Sequence, residues 1–120
     1  QVLLFDAHSI RSFVPSISKE PFADLILSDQ DHKTCAPDLF GSFFNELTRS
    51  DLKVEQNSLF KGGNITRHFG KPEAGINAIQ LEMNKLCYMD NTQRHYHEEN
   101  ANNIRRTLSA AFQALINYMK

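Results

Sequence analysis

The sequence predicts an α/β fold, a mixed or mostly parallel sheet flanked by helices. Three observations carry that expectation. Short apolar runs of strand length alternate along the chain with amphipathic segments of helical period. The first run, Val2-Leu3-Leu4-Phe5, is continuously apolar, as in a buried strand covered on both faces. It then breaks into Asp6-Ala7-His8-Ser9-Ile10-Arg11-Ser12, polar groups at the carboxyl end of a strand, where open α/β sheets collect ligands.

Each further element has its own signal. Pro15, Ser16, Ser18 and Pro21 punctuate a loop. Asp24 to Ser28 reads as a second strand, followed by a polar segment, Asp29 to Thr34, that carries His32. Pro37 opens a helix, because proline suits the first turn. Leu39, Phe40, Phe43, Phe44 and Leu47 then recur at helical spacing, a stripe that belongs in a core. Asp38 and Arg49 complement the dipole at its two ends. Lys53 to Phe60 alternates loosely and reads as a third strand, with Val54, Gln56, Ser58 and Phe60 on one side. Pro72 and Gly75 mark a turn before Ile76 to Met83, a core strand. Asp90 to Asn100 is polar, and its His95-x-His97 pair lacks a convincing acidic or thiol partner for a metal, so it reads as a solvated loop. Ala101 to Met119 closes the chain as a long amphipathic helix with Ile104, Leu108, Ala111, Phe112, Leu115 and Met119 on one face.

Composition bounds the function. The chain has 120 residues, 41% hydrophobic and 22% charged, with a formal net charge of −1, as expected of a single compact unit over residues 1–120. No basic stripe marks a nucleic-acid surface. No apolar run approaches the roughly 20 residues of a membrane helix, and no charged-then-apolar leader pattern opens the chain. Cys35 and Cys87 lie far apart, outside any zinc-finger spacing, and suit two inert thiols in a reducing cytoplasm. The chain enters its first strand directly after Gln1, without Met, and the expectation is a piece of a longer protein.

Three polar clusters carry chemistry: Asp6 with His8 and Arg11; Asn57 with Lys61, Arg67 and His68; and Glu82. Gly62 and Gly63 let backbone N–H groups approach a ligand, with a short helical turn after them. The same stretch serves equally as a glycine turn with solvated basic side chains. Glu82 is costly to bury unpaired, although an ordinary carboxylate at an exposed strand end would need no explanation. An imidazole can hold Zn²⁺ while a carboxylate orients it. A second carboxylate can move a proton from water to a leaving nitrogen, and arginines clamp carboxylates. The combination points to metal-assisted hydrolysis of a small anionic substrate.

Asp6-Ala7-His8-Ser9-Ile10-Arg11-Ser12, Phe60-Lys61-Gly62-Gly63-Asn64-Ile65-Thr66-Arg67-His68-Phe69-Gly70, and Ile79-Gln80-Leu81-Glu82 followed by Tyr88-Met89 together resemble the N-formylglutamate amidohydrolase family. The resemblance implies hydrolysis of N-formyl-L-glutamate to formate and L-glutamate, the last step of one histidine-degradation route. It implies a sheet similar to that of zinc carboxypeptidases and aspartoacylases. His8 matches the later metal-binding histidine and Glu82 the catalytic glutamate. Arg11 and Arg67 match the substrate's carboxylate-binding groups, with Asn57 and Lys61 as further substrate contacts. No His-x-x-Glu motif precedes His8, so the resemblance implies the C-terminal part of a larger single-domain hydrolase, with the remaining zinc ligands upstream and little activity of this part alone. Sheet edges without their neighbours would favour a homo-oligomer, against which a strictly monomeric light-scattering profile would count. Two other readings are a related zinc deacylase acting on another N-acyl amino acid or peptide, and a non-catalytic module that binds small anions.

Overall fold

A computed structural model describes residues 1–120. Four strands form one mixed sheet in the order β1-β4-β2-β3, where β1 is Val2–Ile10, β2 Leu25–Ser28, β3 Val54–Gln56 and β4 Ile76–Asn84. β4 pairs in parallel with β1 and antiparallel with β2, and β2 pairs in parallel with β3. The helices are α1 (Pro37–Thr48), α2 (Asn64–Phe69) and α3 (Glu98–Met119). The expected α/β class is present, with a mixed sheet.

Side chains alternate across a strand, and β4 shows the consequence. Ile79 and Leu81, with Leu25 and Leu27 of β2, join the core formed by Leu39, Phe40, Phe43 and Leu47 of α1 and Ile104, Ala111 and Leu115 of α3. Phe5 of β1 reaches the same layer, edge-on to Phe43 and Phe112 at 5.5 and 4.8 Å. The apolar stripes of α1 and α3 thus cover one face of the sheet. The short α2 packs against β4 and β1.

Expectations change at three elements, β1, β3 and α3. β1 is an edge strand, paired on β4 alone and largely half-exposed, where the apolar run implied cover on both faces. It is also longer than its apolar half: extended backbone continues through Asp6, Ala7, His8 and Ser9. The polar cluster therefore lies on the strand itself. β3 keeps three residues of the expected Lys53–Phe60, because Asn57 (φ 49°) and Leu59 (φ 60°) turn left-handed and end the ladder. α3 starts at Glu98, ahead of Ala101, since His97 caps it by accepting from the Asn100 N–H through Nδ1 at 3.3 Å.

Candidate active site

The parallel register of β1 and β4 sets Asp6 beside Gln80 and His8 beside Glu82. Residues two apart on a strand share a face, so these four polar side chains gather on the side of the sheet opposite α1 and α3. The antiparallel partner β2 adds Ser28 beside Gln80 and Ile26 beside Glu82. Placement by backbone ladder is the most rigid placement a protein offers, and it requires no loop to hold the four groups in order.

Within this group, the His8 ring Nε2 lies 2.9 Å from Asp6 Oδ2, and the side chains are 48% and 13% exposed respectively. The carboxylate therefore anchors one ring nitrogen while half of the imidazole faces solvent. Burial pushes the Glu82 carboxyl above its ordinary range; nearby His8 opposes that shift and Asp6 adds to it. A carboxyl so placed lies closer to neutrality, where one group can both accept and return a proton.

The buried polar residues divide sharply. Ser28 donates to the Phe60 carbonyl, Thr34 to the Ala78 carbonyl, and Thr66 to the Gly63 carbonyl. Asn77 accepts from the Ala36 N–H, Asn84 from the Leu86 N–H, and Asp29 from His32 and Asn57. Gln80 and Glu82 are comparably buried, at 7% and 9% exposure; neither side chain bonds another protein group, and their polar atoms keep access to solvent. Buried polar groups are normally satisfied. These two residues, two apart on one strand face, leave polar atoms open to solvent instead of engaged by the fold.

Around it, the glycine loop is pinned. Gly62 adopts φ 109°, which favours glycine. Its carbonyl accepts from Gln30 Nε2 at 2.6 Å and Arg67 Nη1 at 3.3 Å. Gln30 in turn begins a run of three left-handed residues, Gln30, Asp31 and His32 (φ 58°, 55° and 66°). Such a run persists only where the surroundings hold it. Here the fully buried Asp29 does so, accepting from the His32 N–H, from His32 Nδ1 and from Asn57 Nδ2 at 2.9 to 3.0 Å.

The structure thus sets His8 beside Glu82 on adjacent strands. Arg11 is exposed immediately after β1, in a segment fixed by a reciprocal pair: Ser12 N–H to Gln93 Oε1 at 2.7 Å and Gln93 Nε2 to Ser12 Oγ at 2.8 Å. Arg67 projects from α2 beside the glycine loop and is exposed. Asn57 and Lys61 are occupied by loop architecture. Both ends of the Asn57 amide bond the Asp29 region, and Lys61 Nζ pairs with Asp31 Oδ2 at 2.8 Å. Gln80 was not singled out by sequence reasoning. Its only signal there is a polar residue alternating with Glu82 in an otherwise apolar strand.

No three His, Cys, Asp or Glu side chains converge as a metal-holding set. The Asp6–His8 pair does fit one position of such a site, because a ligating histidine characteristically has its second ring nitrogen held by a carboxylate. His95 pairs with Asp90 at 3.2 Å and His97 caps α3, so neither is a spare ligand.

These features define an α/β protein with a cluster of polar and ionisable side chains built on one sheet face. The chain belongs to the N-formylglutamate amidohydrolase family, whose model matches residues 1–89. It is 39% identical over 89 residues to the N-formylglutamate deformylase of Pseudomonas aeruginosa, covering 73% of this chain and 34% of that protein. It is 35% identical over 116 residues to the N-formylglutamate deformylase of Pseudomonas putida, covering 95% and 43%. The crystal structure of N-formylglutamate amidohydrolase from Ralstonia eutropha JMP134 superposes with a TM-score of 0.80 at 25% identity, covering 97% of this chain and 44% of that one. The chain therefore spans less than half the length of each of these relatives.

Proposed function

We propose that the protein hydrolyses the amide bond of N-formyl-L-glutamate, giving formate and L-glutamate, as a zinc-dependent amidohydrolase of the cytoplasm that ends a route of histidine degradation. Family membership supports the reaction class. The observation that carries the reading is Glu82, a buried carboxylate without a protein partner, in register with His8 on the adjacent strand.

His8, oriented by Asp6, would hold a zinc ion as one ligand, with further ligands supplied from elsewhere in the protein, on a sheet of the zinc-carboxypeptidase and aspartoacylase type. A bound zinc ion contributes Lewis acidity toward the amide carbonyl and toward water. The chain's own part is proton transfer and binding. Glu82, ionised, takes a proton from the attacking water, and it returns that proton to the nitrogen as the C–N bond breaks, so that glutamate departs as the amine. Its raised pKa makes it the stronger base for the first of these steps. Arg11, exposed just after β1, and Arg67, exposed on α2, attract and grip the substrate's two carboxylates.

The test is formate release from N-formyl-L-glutamate by the intact protein, supplied with zinc, beside a Glu82→Gln variant. The parent should release formate, and the variant should be slower by about 10²–10⁴-fold. A folded, zinc-loaded parent that releases none would overturn the substrate assignment. A variant as fast as the parent would remove Glu82 from its role.

A further inference from the structure

Gln80 is left without a task by the mechanism above, although its place in the fold is as specific as that of Glu82. It stands two residues before Glu82 on the same face of β4, in register with Asp6 on one side and Ser28 on the other. It is 93% buried, being 7% exposed, and its carboxamide has no protein partner, whereas the buried amides of Asn77 and Asn84 are both bonded. No fully buried polar side-chain atom in the structure lacks a partner, so the Gln80 carboxamide keeps its polar atoms open to solvent on this face, where a ligand can meet them.

A second observation concerns what covers it. Gly63 has φ −101°, a backbone any residue adopts, so its lack of a side chain does not serve the turn in the way Gly62 does. A Cβ at Gly63 would stand 3.3 Å from Gln80 Oε1 and from no other atom within 4 Å. The glycine therefore keeps the carboxamide oxygen uncovered. The loop cannot drift to relieve such a contact, because the Gly62 carbonyl is held by Gln30 and Arg67 and the Gly63 carbonyl by Thr66.

We propose that Gln80 Oε1 accepts a hydrogen bond from the N–H of the substrate's scissile amide, holding the nitrogen near Glu82 and selecting secondary amides over esters. The inference rests on the amide-hydrolase reading above and adds to it the group that recognises the bond to be cut. A neutral acceptor suits this position. It binds N–H without placing a second negative charge beside Glu82, as a carboxylate would. A site whose buried polar group meets a hydrogen on the correct substrate discriminates strongly against an analogue lacking it.

The experiment compares kcat/KM of the intact, zinc-supplied protein on N-formyl-L-glutamate and on the matching formate ester of 2-hydroxyglutarate, in which oxygen replaces N–H. The parent is measured beside Gln80→Leu and Gly63→Ala. Gln80→Leu removes the acceptor, and Gly63→Ala keeps it but crowds its oxygen. Each variant should lower the amide-to-ester ratio of kcat/KM by about tenfold to a hundredfold. Should Gln80→Leu fail to fold, Gly63→Ala carries the test alone. A parent active on the amide whose ratio is unchanged in the folded variants would overturn the role of Gln80 and leave the hydrolase reading intact. A parent inactive on the amide would overturn that reading, and this inference with it.

Discussion

Successive residues of β4 face opposite ways and meet opposite treatment. Ile79 and Leu81 are sealed beneath α1 and α3, at 0% and 1% exposure, among side chains that match them in kind. Gln80 and Glu82 are nearly as buried, yet no hydrogen-bonding group of the protein meets them. One face uses burial to gain free energy from apolar contact. The other keeps polar atoms that no protein group engages and that stay open to solvent. The strand in common makes the two faces interdependent: the core fixes β4, and β4 fixes the spacing of the site. Three substitutions sharpen or break that contrast.

The largest effect should come from the sealed face. Phe43 is 0% exposed and packs against the rings of Phe5 and Phe112 at 5.5 and 5.2 Å. Phe43→Ala should destabilise the fold by about 3–5 kcal/mol, measured by denaturant unfolding. Total stabilities of small domains run to about 5–15 kcal/mol, so this change alone approaches global unfolding. A loss under about 1 kcal/mol would mean that the helices are not what holds the sheet.

A smaller effect belongs to the rim of the polar face. Asn57 accepts from the Asp29 and Asp31 N–H groups and donates to Asp29 Oδ1, closing a latch around a fully buried carboxylate. Asn57→Ala strips those partners and should cost about 1–3 kcal/mol. Because Gln30 carries the Gly62 carbonyl, it should also loosen the glycine loop, visible as faster amide exchange over residues 61–63. An unchanged melt with unchanged exchange would separate that latch from the loop.

The helices, the central strand and the strand positions of His8 and Glu82 were legible in the sequence, and for a common reason. Helical stripes such as Leu39-Phe40-Phe43-Leu47 and the alternation in β4 are local patterns, and the motif residues lie inside them. What was not legible depends on partners far along the chain. Asn57 and Lys61 looked free for a substrate. Their engagement with Asp29 and Asp31 spans 28 and 30 residues and leaves no local trace. The early end of β3 follows from left-handed Asn57 and Leu59, and Leu59 has no turn signature of its own. The edge position of β1 was hidden because four apolar residues read alike whether a neighbour lies on one side or two.

The smallest effect returns to Glu82 and has a definite sign. Burial raises its pKa in the folded protein above the ordinary carboxylate value. Below about pH 4 the carboxyl is largely protonated in folded and unfolded chains alike, and it contributes no pH-dependent penalty. As the pH rises, the unfolded chain releases its proton first. The folded chain then holds one proton more, and stability falls until Glu82 ionises in the folded state. Glu82→Gln removes this titration. The variant should melt at the parent's temperature near pH 4 and at a higher temperature at neutral pH, with the gap levelling once Glu82 is ionised. A gap of equal size at both pH values would show that the substitution acts through packing, and the buried carboxylate would then carry no stability cost for function to explain.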